Sequence, residues 1–322
     1  MRGRFWAIIL ASCMALSWSG GSATAQTVKY PQRNVTLVTH SSPGGGSDVF
    51  LRELAKHLGP VMGVNFGIDN VRGGSGAKAV AQVAKAPADG TMLYATTPTY
   101  IQTTLLSKPE LGYADLDPIA IVFFDPEVLY TRADAPWKDL KQVVDYAKAN
   151  PGKARWGAAN PASLEHISLE RLSRLQGLKV PVVSHEGGAD LMINVLNGTL
   201  DMGVGEMQEI RAQLDAGKIR LLGTLTDARL ANFPDLATAK EQGFNLVVRK
   251  FRGLAGPKTI PDDVAEAWRK ALEIVVASPA YKTQIAQESL IVSVMGREEA
   301  RKFTTEFAED VAGSLKELGV VK

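Results

Sequence analysis

A chain of 322 residues, 45% hydrophobic and 22% charged, is long enough for about two packed domains. Its 36 basic and 34 acidic residues nearly cancel, which excludes a basic footprint for nucleic acid or an anionic membrane surface. A single cysteine, Cys13, excludes an internal disulfide framework and a cysteine metal site, and the four histidines (His40, His57, His166, His185) form no spaced ligand motif.

Residues 1–25 read as a secretory signal peptide, with Arg2 and Arg4, an apolar stretch too short to span a bilayer, and a closing Ala23-Thr24-Ala25. Leu10-Ala11-Ser12-Cys13 offers a lipoprotein box as the alternative, but Cys13 falls early and the apolar region continues to Trp18. Cleavage after Ala25 removes Arg2, Arg4 and Cys13, leaves equal numbers of basic and acidic residues, and delivers the protein to the periplasm.

Residues 35–39 (VTLVT) predict a buried strand, and Leu51, Leu54, Ala55, Leu58 and Val61 recur at helical spacing, with Ser47 and Asp48 placed as N-cap and first-turn acid. Between them Gly44-Gly45-Gly46 is a strand-to-helix turn whose bare backbone can approach a ligand, an anion best of all. A second strand over 65–69, the turn Arg72-Gly73-Gly74-Ser75-Gly76 and a helix through Ala77, Val80, Ala81 and Ala84 follow. A third strand over 91–96 leads to a helix starting at Thr97-Pro98-Thr99, which makes successive βα units and a parallel sheet. The pattern returns later. Strands over 153–157, 180–184 and 200–204 lead to helices starting at Ser163, Gly187-Gly188-Ala189 and Gly205-Glu206. Residues 120–124, 128–131 and 246–254 read as extended crossings between two halves, and the tail over 261–322 as helical, with Trp268, Leu272 and Val275 on one face.

Four loops, 41–48, 96–99, 157–163 and 203–207, thus lie at the carboxyl ends of strands, where open α/β sheets bind ligands. They are rich in N–H and O–H donors and poor in lysine, which suits a small carboxylate better than a polyphosphate. The triple glycine is neither a P-loop, for want of Gly-Lys-Ser/Thr, nor a GxGxxG fingerprint; a plain tight turn is the alternative. Ser75-Gly76-Ala77-Lys78 matches the SxxK of acyl enzymes, but the companion S-D-N and K-T-G elements do not occur, and Ser75 reads as the cap of the second helix. No histidine has a nucleophile in a recognisable elbow, so no catalytic residue, metal or cofactor is expected. Arg249, Lys250 and Arg252 share a strand as solvated charges or as one cleft-facing arginine, since alternation puts Arg249 and Arg252 on opposite faces.

These residues, in this order, resemble the Bug family, the extracytoplasmic receptors of tripartite tricarboxylate transporters. The elements are Pro43-Gly44-Gly45 with Asp48; Asn70, Gly73-Gly74, Gly76 and Pro87-Ala88-Asp89-Gly90; Pro151-Gly152-Lys153 with Gly157, Ser163 and His166; His185 to Gly188; and Gly198 with Asp201. Departures, notably His40-Ser41-Ser42, Ala158-Ala159-Asn160 and His185-Glu186, fall where a ligand would sit. The resemblance implies a two-domain α/β periplasmic binding fold, type II-like, each domain a mainly parallel sheet flanked by helices, with hinge closure over a cleft. Residues 26–125 plus 250–322 would form one domain and 126–249 the other, with hinges near 120–130 and 246–254. It also implies a monomeric, non-enzymatic receptor for a small organic carboxylate, delivering it to membrane transporter subunits. The donors 42–47 and Ser41, Ser42, Gly44, Gly45, Gly46, Asp48, Thr96, Thr97 and Thr99 would hold one end, and Asn160, Ser163, His185 and Gly187 the other. Arg252 would take a second carboxylate, with a hinge salt bridge as its alternative. An amino-acid or other solute receptor, with Glu186 or Glu206 on a ligand amine, is the rival reading.

Overall fold

The computed structural model describes Tyr30 and residues 34–161, 163–317, 319 and 321. The expected leader, its cleavage site and Cys13 lie outside these.

Chain order builds the fold from strand-then-helix steps. β1 (Asn34–Thr39), α1 (Gly46–Met62), β2 (Asn65–Asn70), α2 (Ala77–Ala84), β3 (Met92–Thr96) and α3 (Pro98–Ser107) form the opening half. β4 (Leu116–Asp125) and β5 (Glu127–Arg132) follow, separated by Pro126 alone, and then α4 (Leu140–Ala149), β6 (Trp156–Ala158) and α5 (Leu164–Leu175). β7 (Val182–Ser184), α6 (Gly188–Leu196), β8 (Met202–Glu206), α7 (Met207–Asp215) and β9 (Ile219–Thr224) complete the second half. The chain returns through β10 (Lys250–Pro257), α8 (Asp262–Ala277), α9 (Pro279–Glu288), β11 (Ile291–Met295) and α10 (Arg297–Glu317).

Two sheets result, with strand orders β11-β4-β10-β3-β1-β2 and β7-β6-β8-β5-β9. Both are mixed. The βα-connected strands pair in parallel, β1 with β2 and β3, and β6 with β7 and β8. The crossing strands add antiparallel ladders, β10 between β3 and β4 in one sheet and β5 between β8 and β9 in the other. The reason is connectivity: a chain that runs from one sheet into the next through a single proline arrives already reversed relative to the strands beside it.

Each sheet is covered by helices on apolar stripes. Leu51, Leu54 and Leu58 of α1 pack with Trp268, Leu272 and Val275 of α8 against Leu37, Leu93 and Ile119. In the second sheet Trp156, Val204 and Leu222 pack under Val143 and Leu169. Residues 246–249 form no ladder, although Val248 N–H donates to the Leu225 carbonyl at 2.8 Å, and ladder pairing begins at Lys250, so the return strand starts later than its apolar run suggests. The expected helical tail is interrupted by β11, an edge strand whose Ile291 is 55% exposed. β9 was not read from the sequence at all.

Two expected caps are corrected. α1 is capped by Gly45, whose carbonyl accepts from the N–H groups of Asp48 and Val49, while Ser47 lies inside the first turn. α2 is capped by Gly76, and Ser75 occupies a left-handed conformation (φ 49°) in a turn with Gly73, Gly74 and Gly76, all at positive φ. That turn needs its glycines for backbone angle alone.

Candidate functional site

Because strands lead into helices at the same sheet edge, five helix N-termini meet where the two sheets face each other. α1 contributes Gly46 and Ser47, α3 contributes Thr97 and Thr99, α5 contributes Ser163 and Glu165, α6 contributes Gly187 and Gly188, and α7 contributes Glu206 and Glu209. Each N-terminus brings the positive end of its dipole and N–H groups that its own helix leaves unpaired, several of them taken by side chains, Gly46 by Glu209, Thr99 by Thr97 and His166 by Ser163. The crevice is closed down to a cavity of about 20 Å³, room for one water molecule. A larger, more apolar cavity of about 620 Å³ lies behind the crossing strands, among Pro126, Leu230, Val248, Ile285 and Leu290. None of the five N-termini reaches it.

Of the residues expected at the site, Ser41, Gly46, Thr97, Thr99, Asn160, Ser163, Gly187, Glu206 and Arg252 line the crevice. Ser42 lies just behind, its hydroxyl buried without a hydrogen-bond partner among the described residues and facing Gly187. Asp48 braces the loop: it accepts from Gly44 N–H at 2.9 Å, Asn70 at 2.9 Å and Arg52 at 2.9 Å. Thr96 is buried on β3 beside Gly253, and His185 is turned toward the Ala158 carbonyl, 3.4 Å from its Nδ1. Neither lines the crevice. Ser163 and Thr97 cap their helices, accepting from His166 N–H at 3.1 Å and Thr99 N–H at 3.2 Å.

The three glycines meet the protein's own groups. Gly44 holds φ at 83°, a left-handed angle. A Cβ on Gly45 would strike the Ser41 hydroxyl, and one on Gly46 would strike the Arg252 guanidinium and lie 2.9 Å from the Glu206 carboxylate.

What surrounds that point was largely unforeseen. Strand alternation buries Lys250 together with Arg252 on one face of β10, while Arg249 is exposed and pairs with Asp227. The Lys250 ammonium is 2.8 Å from Glu127 and also pairs with Glu165 and Glu206. Arg252 donates to Asp125 at 3.0 Å, to the Ser47 hydroxyl at 2.8 Å, and to Glu206. Glu209, partly buried, accepts from Gly46 N–H. Five carboxylates therefore surround two cations. In sequence Glu206 is a candidate for a ligand amine, whereas Glu165 and Glu209 look like ordinary first-turn acids, the only signal being that both follow strand ends.

Burial raises the carboxyls of Glu127 and Glu209 well above their ordinary range, with Glu165 and Glu206 respectively adding to the effect. Burial also lifts Asp125 to about 7 against the pull of Arg252. For Glu206 and Glu165, burial is the largest single influence and pushes upward, but it is outweighed together by Lys250 with a hydrogen bond from Glu127 at Glu165, and by Lys250 and Arg252 with a hydrogen bond from Glu209 at Glu206, so both sit below the usual range. Lys250 is held above its ordinary value because Glu127, Glu165 and Glu206 outweigh its own burial. His40, hydrogen-bonded through Nδ1 to the Tyr94 hydroxyl at 2.9 Å, is pushed down to about 4 by burial and by Arg252 and Lys250. Its ring is therefore neutral near pH 7.

Residues 50–320 match the profile of the tripartite tricarboxylate transporter family receptor, TctC. A UPF0065 protein from the gbd 5' region of Cupriavidus necator is 27% identical over 98% of this chain and 96% of its own. BugT of Bordetella pertussis is 23% identical over 94% and 95%. Among solved structures the periplasmic binding protein BugD superposes with a TM-score of 0.85 at 24% identity, covering 91% of this chain and 100% of its own. A Rhodopseudomonas palustris protein, MatC with bound malate, superposes with a TM-score of 0.80 at 23% identity, over 91% and 100%. These likenesses establish the two-domain α/β architecture of periplasmic binding proteins.

Proposed function

Since the chain belongs to the tripartite tricarboxylate transporter receptor family, TctC, which makes it a solute receptor, we propose that it is exported, binds a small organic carboxylate between its two units, and presents it to membrane transporter subunits. The observation that carries this reading is the convergence of five helix N-termini on one interdomain crevice. Donor hydroxyls of Ser41, Thr97 and Thr99 and the hydroxyl and N–H of Ser42 would receive the carboxylate, with Asn160 and Ser163 closing from the other side. MatC with its malate is in keeping with that choice.

A thermal-shift screen of mono- and dicarboxylates tests the proposal. A bound solute at one hundred times its dissociation constant stabilises by about 2.7 kcal/mol. No stabilisation by any carboxylate, or conversion of a bound one to product, defeats it. N-terminal sequencing of protein recovered from periplasm is expected to begin at Gln26.

A further inference from the structure

We propose that the cavity behind the crossing strands is a second binding site, separate from the crevice, and that it takes an amphipathic monoanion of the medium-chain alkyl carboxylate class.

Place and shape come first. The cavity of about 620 Å³ has the size of a small-molecule site, and mainly apolar walls are the usual lining of one. Its walls come from both units and both crossings: Pro126 between β4 and β5, Leu230 after β9, Val248 before β10, and Ile285, Leu290 and Ile291 from α9 and β11. Of the described residues only Lys250 lines both this space and the crevice, and its ammonium is turned to the crevice glutamates. The crossings therefore separate two compartments. Beside the cavity, Asn232 donates to the Ala286 carbonyl and Arg211 to the Gln287 carbonyl, so the units are tied together there as well.

Charge decides the class of ligand. Arg229 is held by both oxygens of Glu241, Arg249 meets Asp227 at 3.4 Å, and Asp125 is engaged by Arg252 at 3.0 Å. That leaves Lys282, exposed and without an ion pair among the described residues, as the surplus charge on the lining. Lys282, Ile285, Ala286 and Ser289 follow one another at helical spacing along α9 and its C-cap, so a cation, apolar surface and a hydroxyl share one wall.

The hydroxyl is an independent sign. Ser289 Oγ is buried on this lining with no hydrogen-bond partner among the described residues. Its residue also holds a left-handed φ of 58°, an angle that glycine adopts at less cost. The wall thus keeps a donor that the protein itself leaves unmet. A carboxylate oxygen satisfies it, the flexible Lys282 side chain supplies the counter-charge, and an alkyl chain covers Leu230, Val248 and Leu290.

Calorimetry with acetate, hexanoate, octanoate and decanoate, each below its micelle concentration, tests the site. Every added methylene that enters an apolar wall should strengthen binding roughly fourfold. Decanoate should bind at least tenfold more tightly than decanol or decylammonium. Lys282→Glu, and Ala231→Trp, which fills the cavity from an exposed position, should each weaken decanoate tenfold or more while the melting temperature is kept. Amide exchange under decanoate should slow over residues 226–232, 246–249 and 285–291. Affinity for decanoate unchanged by both variants, equal binding of decanol or decylammonium, or protection confined to loops 41–48 and 96–99 would overturn the inference. The crevice reading is decided separately by the screen of small mono- and dicarboxylates, so either can fail without the other.

Discussion

The two walls of the crevice are unlike. The wall from the first sheet brings both cations, Lys250 and Arg252, one acid, Asp125, and the hydroxyls of Ser41, Ser47, Thr97 and Thr99; the facing wall brings Glu127, Glu165, Glu206 and Glu209 and, among the described residues, no cation. Each wall alone would be a charged, hydrated surface. Brought together they form ion pairs that cross from unit to unit, so the protein's own side chains supply part of the attraction that closes it. A solute therefore has to improve on contacts already made, and the difference between the walls can be probed one charge at a time.

The largest effect is expected at Lys250. Lys250→Ala leaves three buried glutamates without their shared ammonium, a change worth about 3–5 kcal/mol for a broken buried pair. Urea unfolding would report it. A small alkylammonium such as n-propylammonium should restore part of the stability in this variant and none in the parent. Rescue by salt alone would show a general screening effect rather than a vacated cation position.

Arg252→Gln is next, at about 1.5–3 kcal/mol for lost charged hydrogen bonds to Asp125 and Glu206. Because the guanidinium is already engaged by Asp125, Ser47 and Glu206, the variant should weaken mono- and dicarboxylates alike. Selective loss of dicarboxylate affinity would mean that Arg252 turns to the ligand when the crevice opens.

The excess of acids also sets the pH response. Asp125 rises from 3.8 to about 7, and Glu127 and Glu209 rise as well. The folded state thus binds more protons than the unfolded chain, and the stability these groups confer is present below their unfolded values and lost as pH rises toward and beyond 7. His40, lowered from 6.5 to about 4, acts in the opposite sense: its contribution is complete above 6.5 and is lost as pH falls toward 4. Glu206 and Glu165, held low, likewise lose theirs only in acid. The melting temperature should therefore fall as pH rises from about 6.5 through 7, and Asp125→Asn should flatten that slope. A melting temperature that climbs through this window would contradict the charge assignment.

The smallest effect is expected at the rim. Arg72, on the first unit, lies 3.5 Å from Glu186 and 3.7 Å from Asp190 on the second, all about half exposed. Arg72→Ala should cost no more than about 1 kcal/mol, and less at high salt. A large loss in guanidinium or urea titrations would make this contact a true latch.

The sequence exposes the fold through its punctuation. VTLVT before the glycines, the Ala88-Asp89-Gly90 turn and the small residues after each strand mark βα steps without any knowledge of partners. Family membership followed from the same landmarks. What stayed hidden depends on distant residues: β9 and β11 are short runs whose strand character comes from lying beside β5 and β4. Lys250 was hardest, since a lysine between two arginines reads as hydrated until Glu127, Glu165 and Glu206 are brought around it. The site's donor loops were legible because they are local, whereas its acids, Glu206 apart, were not, because their meaning is the sum of charges from separate elements.

The double crossing between the units has a consequence for how the molecule can be taken apart. Asp125 and Lys250, the residues that flank the entire second half, sit opposite each other in the β4–β10 ladder. The long excursion from one to the other is, for the first sheet, topologically a hairpin loop. Replacing residues 126–249 by a two-residue Asn-Gly turn would keep every strand of that sheet in its present register. The shortened chain would offer Lys250 and Arg252 on an open face, a cationic half-receptor that could be supplied with the other half, or with a different one, as a separate piece.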